Sequence, residues 1–160
     1  MTKVLLTLHV LVAIVAIGPI TVAASMFPRY AKPPALESGP PHDHDLRIAA
    51  FLHKICRAYT SVGIAVPVLG IATGAVMGVL GDAWLMASIV LTGVAAGVLL
   101  ALVLPGQEEL LEEPDAGSGT DVTTRRATAT RLAMTTGIFN LLWATVVVLM
   151  IVRPGSTTGA

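Results

Sequence analysis

The chain has 160 residues, 54% of them hydrophobic and only 12% charged, against roughly 25% charged in an average soluble domain. Ten basic and ten acidic residues cancel, so there is no net field of the kind that recruits nucleic acid, and that partner is excluded. Folded in water, such a chain would expose too much apolar surface, and the expected class is an all-α, membrane-spanning four-helix bundle, one domain over residues 1–160.

The first apolar stretch runs from Val4 to Met26 with no Asp, Glu, Lys or Arg inside it. At about 1.5 Å per residue it is long enough for a hydrocarbon core of about 30 Å. A signal peptide cut after the small residues Val22-Ala23-Ala24 is the competing reading. The apolar part, however, exceeds the usual signal core of about 7 to 15 residues, and Pro19 sits where a transmembrane helix accepts a kink. A retained helix is expected. His9 is the one ionisable side chain well inside a span, which makes it the candidate cofactor ligand. The expected role is nevertheless structural, as a buried neutral imidazole bonded to a hydroxyl such as Thr73 or Ser88 at similar depth or to a carbonyl, with ligation as the alternative. Haem ligation would need a second axial group, with Met77 or Met86 as the candidates. His53 lies near the opposite end of its helix, too far along the membrane normal.

Residues 27–45 read as a cytoplasmic loop, because Pro28, Pro33, Pro34, Pro40 and Pro41 break helices. It contains His42-Asp43-His44-Asp45, whose alternating imidazoles and carboxylates suit a divalent transition metal. These four residues are the candidate metal ligands, with a solvated, helix-capping loop as the plainer alternative. Asp45 is expected to cap a second helix that starts near 46 and spans the membrane over about 58–80. Cys56, the only cysteine, excludes an internal disulfide and reads as a packed thiol.

Gly81-Asp82 turns the chain into a third span over 83–104, with Trp84 at interface height. Pro105-Gly106 is expected to end that helix and open a second cytoplasmic loop, 105–124. Glu108, Glu109, Glu112 and Glu113 fall there, facing Arg125 and Arg126 for neutralisation. The fourth span covers 132–152 and closes at Arg153-Pro154. Helix packing is assigned to Gly70, Gly74 and Gly78 on the second helix and Gly93 and Gly97 on the third, where small residues let backbones approach in lipid. The alternative use of those glycines is a homodimer face. Asn140 is expected to cap a carbonyl freed by Pro19 or Pro67.

The face that carries both loops holds Arg29, Lys32, Arg47, Lys54, Arg57, Arg125, Arg126 and Arg131, whereas the opposite face has only Lys3 and Arg153. The positive-inside bias therefore places the loops in the cytoplasm and both termini outside, in an inner (plasma) membrane. The segment Leu8-His9-Val10-Leu11-Val12-Ala13-Ile14-Val15-Ala16-Ile17-Gly18-Pro19, its continuation Phe27-Pro28-Arg29-Tyr30, and Phe51-Leu52-His53-Lys54 resemble a family of small four-helix bacterial integral membrane proteins of unknown function. The resemblance covers nearly the whole chain, least so over 107–124, and implies the fold only, since no settled activity, cofactor or catalytic residue comes with that family.

The sequence has no carboxylate inside a span for proton coupling and no HExxH, GxSxG or nucleotide loop. The expectation is a non-enzymatic accessory or structural membrane protein without a cofactor, whose partners are the lipid bilayer and either other membrane proteins or a second copy. The alternatives are a haem- or metal-binding subunit and a small transporter lined by Asn140 and the two prolines.

Overall fold

A computed structural model describes residues 2–31, 43–112 and 120–155. Among them the chain forms α1 (Thr2–Tyr30), α2 (Asp43–Gly63), α3 (Ala65–Met77), α4 (Ala83–Val98), a π-helical turn (Leu99–Val103), α5 (Leu104–Leu111) and α6 (Thr120–Val152). These elements make four long apolar helices, Thr2–Tyr30, His44–Met77, Ala83–Leu111 and Thr123–Val152, each long enough to cross a membrane. At about 1.5 Å per residue they are about 44 to 51 Å long and exceed a hydrocarbon core of about 30 Å.

The surplus length lies at the loop end, where sequence reading had placed helix breaks. α1 continues through Pro28 to Tyr30, and the Ala31 amide closes the last turn on the Phe27 carbonyl at 3.1 Å. α2 starts at Asp43, so Asp45 is a first-turn residue instead of a cap. Pro105 does not end the third helix. A proline removes one amide and crowds the carbonyl four residues back. The π turn before it absorbs both effects, with the Leu104 amide bonding the Leu99 carbonyl, and Pro105 then sits at the start of α5, where no amide is required. The second helix solves the same problem with a break. Pro67 crowds the Gly63 carbonyl, and α2 gives way to α3 at Ile64.

Packing is uneven along the bundle. α1 lies against α2 and α3, α4 lies against α6, and α3 and α4 make little contact despite their short connection. At the loop end, Ile20, Ala23, Ala24 and Phe27 of α1 interlock with Leu52 and Cys56 of α2, Leu99, Val103 and Leu110 of the third helix, and Leu132 and Phe139 of α6. The half toward the termini has no comparable core. Few of its side chains are buried, chiefly Val66, Thr73, Trp84, Leu85, Ser88 and Val146.

Candidate functional site

The terminal half of the bundle encloses a cavity of about 720 Å³, lined by residues of all four long helices. It follows from the divergence of α3 and α4: α3 leans on α1, α4 leans on α6, and the space between them is left unfilled. Its walls are mostly apolar, from Ala13 and Ile14 to Val146, Met150 and Ile151. Most ligand sites combine such walls with a few placed polar groups, in volumes of about 300 to 1,000 Å³.

His9 is the first of those polar groups. Its ring fits because Gly70 has no side chain; a Cβ there would come within 3.0 Å of His9 Cε1. The bonds expected from Thr73 and Ser88 are not made. Thr73 Oγ1 donates to the Leu69 carbonyl at 2.7 Å and Ser88 Oγ to the Trp84 carbonyl at 2.8 Å, because a hydroxyl in a helix finds the carbonyl one turn back before a partner on another helix. The His9 imidazole has the Val66 backbone carbonyl beside it, but its Nδ1 is buried without a side-chain hydrogen bond, and Nε1 of Trp143, which lines the same cavity from α6, is buried without a partner among the described residues. In a bilayer no bulk water relieves such groups. Trp143 was not singled out from the sequence, where an indole inside an apolar span reads as core. Its ring meets Phe139 edge to face, with centroids 6.4 Å apart.

The mouth lies at the end carrying the termini. Arg153, the first residue past α6, lines it with its guanidinium 5.6 Å from the centre of the Trp84 ring on α4. Trp84 Nε1 in turn donates to Asp82 Oδ2 at 3.0 Å.

The expected packing glycines divide. Gly70 and Gly74 stand at close approaches, Gly74 against Leu85, whose Cδ2 would be 2.7 Å from a Cβ. Gly78 instead ends α3. At φ 71° it adopts the left-handed conformation, its amide reaching the Ala75 carbonyl and that of Val79 the Gly74 carbonyl, a helix stop that glycine favours. Gly93 and Gly97 are exposed, and a Cβ on either would meet nothing within 4 Å. They lie with the exposed Met86, Val90 and Val94 and away from the α4 residues that line the cavity, so the internal packing expected of them is not made. Asn140 is bonded to neither proline-freed carbonyl. Its Nδ2 donates to Ser25 Oγ at 3.0 Å, tying α6 to α1, and its Oδ1 is buried without a partner among the described residues.

A second polar cluster sits in the packed loop half. His53 Nδ1 and Gln107 Oε1 are 3.0 Å apart, and Gln107 Nε2 donates to Cys56 Sγ at 3.6 Å. The His53 and Arg57 side chains flank Glu108 Oε1 at 3.6 and 3.8 Å. Reading Pro105 as a helix end had put Gln107 in a solvated loop, which concealed this site. Among the described residues Arg125 makes no ion pair with the glutamates expected to neutralise it. Its guanidinium donates to the Leu110 and Glu112 carbonyls at 2.7 and 2.9 Å, capping the end of α5.

Of the expected metal ligands, His42 and the Asp43 side chain lie outside the described residues, while His44 is exposed and Asp45 partly buried in the first turn of α2. Among the described residues no three His, Cys, Asp or Glu side chains are placed to hold a metal. No family model, curated protein or solved structure matches the chain.

Proposed function

We propose that this protein binds a lipid-soluble molecule in the cavity at the terminal end of its bundle, acting without catalysis as an accessory component of an inner (plasma) membrane. The observation that carries the reading is the pair of buried, unpartnered nitrogens, His9 Nδ1 and Trp143 Nε1, on residues that line one cavity. Each unmet group costs roughly 1 to 3 kcal/mol in a folded protein. An indole nitrogen only donates, so the partner it needs is an acceptor oxygen of a carbonyl, ether or hydroxyl type. The packed loop half, with Phe27, Val103 and Phe139 fully buried, supports a blind binding site over a transport path. The excess of basic residues at the loop end supports an orientation with that end in the cytoplasm and the cavity in the outer half of the bilayer.

The test is extraction of the protein purified in mild detergent, followed by mass spectrometry of the released small molecules. One compound in stoichiometric amount is expected from the natural chain and not from Ala13→Trp, which fills the cavity. Identical extracts from the two would refute the proposal.

Haem is a second reading, favoured by one arrangement: His9, Met77 and Met150 line the same cavity, whereas Met86 is 51% exposed and not among its lining residues. A histidine and a methionine form a known axial pair. A Soret band lost in His9→Ala would select it.

A further inference from the structure

We infer that the molecule held in this cavity is an anionic amphiphile whose carboxylate or phosphate is gripped by Arg153. This deepens the binding role proposed above and rests on it. Arg153 is the one charged side chain on the cavity wall besides the titratable His9, and no Asp or Glu lines it. Its backbone turns there to a φ of 45°, a conformation uncommon outside glycine, and this ends α6. The Arg153 Nε donates to the Met150 carbonyl at 3.4 Å, and the guanidinium reaches across to the Trp84 ring on α4. The side chain thus bridges the mouth between two helices.

Its terminal nitrogens have no carboxylate within ion-pair distance among the described residues. A guanidinium presents a planar fork that matches a carboxylate or a phosphate. Arg153 is ten residues from Trp143 along one helix, about 15 Å of rise. A ligand with its charged head at the mouth therefore lays an apolar body along Met150, Val147 and Val146 toward the deep wall. A cationic head would be repelled by the arginine, and a neutral one would gain no charge-assisted bond from it.

The chain offers its own reporter, because its two tryptophans, Trp84 and Trp143, both line the cavity. The protein is placed in nanodiscs of zwitterionic lipid and titrated with three brominated quenchers: dibromostearate, a dibrominated lysophosphatidic acid, and dibromostearyl alcohol. At least one acid is expected to quench at about tenfold lower concentration than the alcohol, a difference of about 1.4 kcal/mol. Arg153→Gln should erase that gap and leave the alcohol unchanged. The stronger acid identifies the source, free fatty acid or phosphate-bearing lipid. Equal quenching by acids and alcohol would overturn the headgroup inference while leaving the cavity role standing. No quenching by any of the three would remove both. Should Arg153→Gln fail to fold, the ratio of acid to alcohol in the natural protein decides the question alone.

Discussion

His53 of α2 and Gln107 of α5 meet through a buried contact of 3.0 Å between Nδ1 and Oε1, their residues 8% and 0% exposed. This contact exists only because the third helix continues past Pro105, carrying Gln107 onto the face of α2. With both partners buried, removing one strands the other. Gln107→Leu is expected to lower stability by roughly 1 to 3 kcal/mol, read as the midpoint of thermal unfolding in detergent. Glu108→Ala should change the midpoint little, because that carboxylate is half exposed and its pairs with His53 and Arg57 are long. Equal losses for both would mean that the ion pairs, and not the buried amide, hold the cluster.

The orphaned nitrogen of His9 reverses what its sequence position suggests. A histidine bonded to Thr73 or Ser88 would make His9→Leu destabilising. With neither hydroxyl bonded to the ring and Nδ1 unmet beside the Val66 carbonyl, His9→Leu removes about as much unmet polarity as bonding. The ligand-free protein should be as stable as the natural one to within about 1 kcal/mol, while losing the co-purified molecule. A clear drop in the unfolding midpoint of the ligand-free protein would restore the structural role.

Glycines that look alike in sequence should respond in opposite ways. Gly70→Val drives a branched side chain into the His9 ring, since even a Cβ would approach Cε1 to 3.0 Å. Stability and ligand retention should both fall. Gly93→Ala and Gly97→Ala point into open space and should be neutral or stabilising by roughly 0.5 to 1 kcal/mol, because alanine restricts the unfolded chain more than glycine. Loss of expression or assembly in the latter pair would indicate a partner seated on that face.

The orientation is testable without any ligand. In a Cys56→Ala background, cysteines placed at Ser38 and Ser118 should react with a membrane-impermeant maleimide only after the membrane is opened. A cysteine at Thr2 should react in intact cells. The opposite pattern would invert the assignment and move the cavity to the cytoplasmic half.

The four spans were legible because uncharged runs of about 20 residues have no other stable home than a bilayer, and backbone bonding there demands helices. His9 stood out for the same reason, as an ionisable group inside such a run. Helix ends were less legible. Pro28 and Pro105 read as stops, yet one was absorbed in a final turn and the other by a π turn, a choice set by neighbouring helices that bury the extended segment. Those extensions brought His53, Cys56 and Gln107 together, although 51 residues separate the last two in the chain. The cavity, the orphaned nitrogens of His9 and Trp143, and the reach of Arg153 across to Trp84 were decided by tertiary structure alone. They depend on the angle between α3 and α4. In lipid the way helices settle depends on which small residues meet a neighbouring side chain, and local periodicity does not encode it. Gly70 and Gly74 stand against the His9 and Leu85 side chains, whereas Gly93 and Gly97 meet nothing within 4 Å.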